Sequence, residues 1–232
     1  MHVVSVIPNG SLTESAASLR GNFPAPHPYL LGMRTCNGLL TAILLTASAA
    51  ALASAAQRAN CFDGLEFNAS GLRRLTLHIA PSDVRIGAAR DQFVRLRCDL
   101  PDGQSPSRIG IDWSATASSA SLRVRSPHLS NQRFRLEVPR DIDLIVRVKA
   151  GEVTIRGVRG SKDVELTAGE INIDAGPPSD YSRIDASVWV GELRASPYRT
   201  HKEGFFRSIT RNFSTGKHQL RARVGAGQIT LE

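Results

Sequence analysis

Twice within residues 144–173 an alternating apolar and polar run bends at Ala-Gly-Glu and then alternates again: Leu-Ile-Val-Arg-Val-Lys-Ala-Gly-Glu-Val-Thr-Ile, then Val-Glu-Leu-Thr-Ala-Gly-Glu-Ile-Asn-Ile. A period of two on both sides of a glycine describes two short half-buried strands joined at a corner, one side-chain set facing a core and the other facing water. The unit keeps a fixed register. Counted from the corner glycine, apolar residues fall at −5, −3, +2 and +4: Val146, Val148, Val153 and Ile155 around Gly151, and Val164, Leu166, Ile171 and Ile173 around Gly169. The same positions are Ala186, Val188, Leu193 and Ala195 around Gly191, and Ala222, Val224, Ile229 and Leu231 around Gly227. Two earlier units fit less strictly because their corners are not glycine: Leu77, Ile79, Val84 and Ile86 around Ser82, and Ala115, Ala117, Leu122 and Val124 around Ala120.

Units of about 20 residues that each expose one apolar face cannot fold singly, so they stack and bury a continuous core. The expected fold is therefore all-β, a parallel β-solenoid of about six to seven two-strand coils over residues 75–232. An antiparallel sandwich or meander competes, since corner hairpins on short links can also pair in sequence. The spacing from Gly191 to Gly227 is twice that from Gly151 to Gly169, which suggests a degenerate coil between them. Centred near Ile209, it would offer Phe206 and Phe213 to the core, although Arg211 breaks the pattern.

Upstream of the repeat the composition changes. Residues 1–32 lack periodicity and carry Pro24, Pro26 and Pro28, so they read as unstructured and as lying before the true start at Met33. Arg34, the apolar run of residues 39–53 and Ala53-Ser54-Ala55 form the pattern of a cleaved secretory signal over residues 33–55. The competing reading is an uncleaved anchor, against which the alanine-rich, weakly apolar run argues. Residues 56–74 remain as an N-terminal cap. Cleavage would leave two cysteines, Cys61 and Cys98, and an exported chain with an even count favours their pairing over two buried thiols.

Charge bounds the partners. Lys and Arg total 29 against 21 Asp and Glu, and removing residues 1–55 takes away only Arg20, Arg34 and Glu14, so the exported chain stays basic. A basic surface favours polyanions but sets no fold. The densest stretch combines Tyr198, Phe205, Phe206 and Phe213 with Arg199, Lys202, Arg207, Arg211 and Lys217. These five cations are the candidate polyanion site, for an anionic glycan or lipid head group. Nucleic acid is not an expected partner of an exported chain. The alternative is that the phenylalanines cap the core and the cations are merely solvated.

Catalytic templates fail in turn: there is no Gly-x-Ser-x-Gly elbow, His-Glu-x-x-His, Cys-x-x-Cys or P-loop, and Gly225-Ala226-Gly227 is too short for a dinucleotide fingerprint. His78, His128, His201 and His218 sit among polar neighbours and read as surface residues. The outward +1 column reads Asp83, Ser121, Glu152, Glu170, Glu192 and Gln228, which would stack three glutamates on adjacent coils. Opposed like charges are unfavourable, so the carboxylates either splay into water beside Arg147 and Arg194 or hold a hard cation. Solvation is favoured, because these acids alone do not supply calcium's six to eight oxygens.

The strand Phe134-Arg135-Leu136-Glu137-Val138-Pro139, the following Leu144-x-Val146-x-Val148-x-Ala150-Gly151-Glu152-Val153 and the later Ala-Gly-Glu and Ala-Gly-Gln corners resemble the uncharacterised "putative adhesin" β-solenoid domain of exported bacterial proteins. The resemblance implies an envelope or secreted protein with no established activity, and it supplies no catalytic residues. The resulting expectation is a non-enzymatic protein of the bacterial periplasm or cell surface, presenting a β-solenoid face for adhesion or scaffolding. No cofactor or metal is expected, and the signal segment is the expected membrane contact. A β-helix-type carbohydrate-active enzyme and a periplasmic binder of anionic glycan or lipid are the alternatives.

Overall fold

The computed structural model describes residues 57–59, 64–100, 102, 108–127 and 131–232. All belong to the second of two compact units, Ala50–Glu232. Residues 1–32, the expected signal segment 33–55 and Cys61 lie outside the described residues. Among the described residues there is no α-helix and none long and apolar enough to cross a membrane.

The strands are β1 (Gln57–Ala59), β2 (Leu65–Asn68), β3 (Arg74–Ile79), β4 (Asp83–Ala89), β5 (Phe93–Asp99), β6 (Gly110–Ala115), β7 (Ser119–Arg125), β8 (Arg133–Pro139), β9 (Asp143–Arg156), β10 (Lys162–Ile173), β11 (Tyr181–Ala195), β12 (Thr200–Asn212) and β13 (His218–Leu231). In β9, burial falls on Leu144, Val146 and Val148 before Gly151 and on Val153 and Ile155 after it. The phase of the alternation therefore flips at the corner. A flat strand would throw the two sets onto opposite faces; a strand folded at its glycine keeps both against one core. Strands β10, β11 and β13 repeat this at Gly169, Gly191 and Gly227, and the four predicted inward positions of each are buried.

The corner requires glycine for two reasons, shown most clearly at Gly169. Its φ is +127°, which an L side chain rarely adopts, and a Cβ there would overlap the backbone carbonyl of Gly151 on the neighbouring strand. Glycines stack on glycines: Gly169 pairs with Gly151 on one side and Gly227 on the other, and Gly191 follows Gly227. Ser82 continues this column without positive φ. The chain there bends through Ala80 and Pro81, with the Ser82 hydroxyl donating to the Ala80 carbonyl at 2.7 Å and its N–H to the Ala150 carbonyl at 2.8 Å.

One continuous mixed sheet results, not closed on itself. On one side of the corners the order is β1-β6-β7-β3-β9-β10-β13-β11-β12; on the other, β2, β5, β8 and β4 lead into the second half of β9. The body from β7 to β11 is parallel, whereas β1, β6, β2, β5 and β12 pair antiparallel at its ends. Three expectations are corrected. Coils do not stack in chain order, because β13 is inserted between β10 and β11. Ala120 is no corner: it lies within β7 opposite Leu75, and that coil bends after Arg125 before resuming in β8. The stretch between Gly191 and Gly227 is no parallel coil but the antiparallel edge strand β12, whose corner is Gly204 opposite Gly191. Ile209 is buried there and Phe213 packs partly against the core, but Phe206 is 73% exposed.

The two ends of the core are closed differently. At one, Phe67 of β2 stacks on Trp113 of β6 with ring centroids 4.2 Å apart. At the other, β12 carries Ile209 flanked by cations at core-face register: Lys202 opposite Leu193, Arg207 opposite Val188 and Arg211 opposite Ile184. Inward-register charges on an edge strand oppose further strand addition.

Candidate functional site

The five cations singled out in the sequence do not converge. Lys202, Arg207 and Arg211 belong to the β12 edge, where Lys202 donates to the Ser208 carbonyl at 2.7 Å and the Arg207 Nε to the Glu203 carbonyl at 2.6 Å. Arg199 ends a short 3-10 turn with φ +49°, and Lys217 lies in the loop before β13. Lys202 and Arg211 cap the edge, and Arg207 also borders a depression on the outward face. Cys98, on β5, is disulfide-bonded.

The +1 column also differs from expectation. Glu152 and Glu170 are neighbours, but Gln228 separates Glu170 from Glu192. Neutral partners spread the charge: Thr154 and Asn172 donate to Glu152 at 2.8 and 3.4 Å. Beyond Gln228, Glu192 directly opposes Glu203, and His201 Nε2 lies 2.8 Å from the first carboxylate and 3.1 Å from the second. Arg194 also holds Glu192. The ligand atoms of Glu192, His201 and Glu203 lie within 4.8 Å of one another, so the three could hold a divalent cation, yet Arg194 already pairs with Glu192 there.

A different surface collects unpaired charge. The outward −4 position lines up across five strands as His78, Arg147, Glu165, Arg223 and Ser187, and cross-strand pairing extends the column to Arg123 at one end and Ser208 at the other, seven consecutive strands in all. At a strand spacing of about 4.8 Å the column is about 29 Å long. Beside it runs the −2 position, with Lys149, Thr167, Gly225 and Trp189. Between the two lie a depression of about 590 Å³ bordered by His78, Pro81, Arg123, Arg125, Arg147 and Lys149, and one of about 490 Å³ bordered by Thr167, Trp189, Phe206, Arg223 and Gly225. Both include Glu165 and Thr167, so they form one trough across the strands.

Its electrostatics are one-sided. Arg147 is held by Asp163 at 3.1 Å and Glu165 at 3.3 Å, and Arg125 by Asp112 at 2.9 Å. Arg123, Lys149 and Arg223 form no ion pair among the described residues. The half-buried His78 registers the field: burial first, then the Arg123 and Arg147 guanidiniums, hold its imidazole below the ordinary histidine range. In the next outward column Asp163, Arg221 and Asp185 alternate in sign, with Asp163 held by Arg147 and Asp185 by Arg183. Trough residues missed in the sequence had a signal there, the −4 and −2 positions of the same repeat.

Lys162, also missed, occupies a core-face position between Leu144 and Leu220 and is 1% exposed. Its ammonium donates to the Tyr181 hydroxyl at 2.6 Å and the Gly160 carbonyl at 3.2 Å. Burial lowers its pKa to about 8, against the opposing pull of Asp174, Asp180 and Asp143.

No family model matches the chain, and no curated protein does. Two solved structures are similar. One, described as a "putative cell adhesion protein" from Clostridium sporogenes, is 9% identical with a TM-score of 0.47, over 76% of this chain and 98% of that one. The other, described as a "putative adhesin" from Bacteroides fragilis, is 9% identical with a TM-score of 0.35, over 76% of this chain and 97% of that one.

Proposed function

We propose that this chain is an exported, non-enzymatic bacterial envelope protein, a short β-solenoid with antiparallel ends, that attaches to anionic polymers along its outward trough. The observation that carries the reading is the line of Arg123, Lys149 and Arg223, which spans much of the sheet without ion pairs among the described residues. Cations left unneutralised along a linear groove match a linear anion better than a compact one. The Cys98 disulfide supports an oxidising compartment and hence export. Binding is favoured over catalysis by the state of the trough's ionisable groups: Glu165 is tied to Arg147, and His78 faces two guanidiniums.

The test is binding of fluorescently labelled inorganic polyphosphate and polygalacturonate by the purified chain at low and high salt. The expected result is salt-sensitive binding that falls about tenfold or more in Arg123→Ala/Lys149→Ala/Arg223→Ala, from three exposed charge contacts of about 0.5–1 kcal/mol each. Its melting temperature should be unchanged, because all three side chains are exposed. No binding to either polymer, or equal binding by the triple variant, would refute the assignment.

A further inference from the structure

We infer that the depression beside Trp189 is a saccharide subsite, so that the anionic polymer is an acidic polysaccharide whose carboxylate meets Arg223. This rests on the polyanion reading of the trough. What adds to it is an aromatic platform where an outward strand face ordinarily carries polar side chains. Trp189 is 63% and Phe206 73% exposed, with ring centroids 5.6 Å apart. Phe206 is held at φ +53°, a backbone state that a bulky residue rarely adopts. Exposed, strained and packed on another exposed ring, it contributes little to the core.

The floor beside the rings is open because Gly225 has no side chain, and a Cβ there would press on the Thr167 carbonyl at 2.5 Å. Polar groups suited to a sugar surround this floor. Arg223 offers a planar fork for a carboxylate, Ser187 is its cross-strand neighbour, and Ser208 follows on the edge. Thr167 and Glu165 close the other side, the carboxylate able to accept from ring hydroxyls. An apolar ring face, several hydroxyl-bonding groups and the guanidiniums of Arg223 and Arg207 together describe a site for a uronic acid unit. The cations of the adjoining depression continue across the strands and would meet further acidic units of the same chain. Polyphosphate shares the charge but has no ring to stack.

The two ideas separate experimentally. Affinities for polygalacturonate, polyphosphate and an oligothymidylate are measured with wild type, Trp189→Ala and Trp189→Phe. The expected result is a loss on the order of tenfold for polygalacturonate relative to polyphosphate in Trp189→Ala, the factor a stacked ring is worth, and recovery in Trp189→Phe. A galacturonate oligomer should also change the emission of exposed Trp189, whereas Trp113 is buried against Phe67. Binding of polyphosphate without polygalacturonate, or equal losses for both in Trp189→Ala, would overturn the saccharide subsite and leave the polyanion reading standing. Tighter Trp189-dependent binding of oligothymidylate would overturn it in favour of nucleic acid. Failure of the wild type to bind any of the three polymers would remove both.

Discussion

Gly169→Ala should be among the most damaging single-methyl changes in this chain, and Gly176→Ala a mild one. Both glycines have positive φ, +127° and +69°. At Gly176 a Cβ would meet nothing within 4 Å, so alanine costs only the left-handed backbone conformation, about 1 kcal/mol. At Gly169 the same kind of conformational cost is joined by overlap with the Gly151 carbonyl. The neighbouring strand cannot withdraw freely, because β9 and β10 pair in unbroken register on both sides of the corner. Forcing atoms into a packed region costs about 1–3 kcal/mol, which brings the total to about 3 kcal/mol or more.

Urea titration with thermal melting of the two variants separates these terms. For a unit of this size 1 kcal/mol corresponds to about 2–4 °C, so Gly176→Ala should lose about that much and Gly169→Ala about 6–12 °C. Equal losses would mean that the corner is tolerant of a side chain. The glycine column would then be incidental to the stacking.

Core register is checked by Ile171→Asp, which buries a carboxylate among apolar neighbours and should unfold the chain or cost several kcal/mol by circular dichroism melts; Asn172→Asp should cost under about 1 kcal/mol, its new charge facing Glu152. Lys162 should make stability rise with pH: its folded pKa of about 8 lies below the unfolded value of 10.5, so the unfolded chain binds more protons between the two and deprotonation relieves up to about 3 kcal/mol. Buried Tyr181, whose pKa is raised, reverses that trend above about pH 10, and Lys162→Met should flatten the rise in unfolding free energy measured from pH 7 to 9.5. Thiol titration of the denatured, unreduced native protein should find neither Cys61 nor Cys98 free, and two free thiols would refute their pairing.

The inward face was legible in the sequence because burial enforces it. Val153, Ile171, Leu193 and Ile229 had to be apolar whichever strands adjoin them, so alternation around a glycine disclosed both the strand pair and the corner. Strand order was not legible, since nothing local distinguishes β13 beside β10 from β11 beside β10: each offers small or branched apolar residues at the same four positions. The false corner at Ala120 arose from alanines at 115 and 117 that satisfy the pattern weakly; Ala115 is half-buried and Ala117 exposed. Phe206 misled for the opposite reason, an apolar residue at a position whose backbone turns it outward.

The proposed binding trough lies within a repeat whose core face is easily read. Density of charge along the chain drew attention to residues 199–217, yet an edge strand needs such charge simply to remain an edge, and Lys202, Arg207 and Arg211 sit at the core-face register where it serves that end. The trough's cations are thinly spread in sequence, no more than two per strand, at His78's register and the position two residues on rather than at the glutamates'. Parallel stacking converts that spacing into a line, so the informative quantity is the charge summed down a column and not along a window. Down the +1 column, Glu152 accepts from Thr154 and Asn172, Gln228 separates Glu170 from Glu192, and Glu192 is held by Arg194 and His201. Down the −4 and −2 columns, Arg123, Lys149 and Arg223 form no ion pair among the described residues. Charge held at fixed spacing by a rigid sheet makes a line, and under the proposed reading a polymer of opposite charge is the partner that such a line would satisfy.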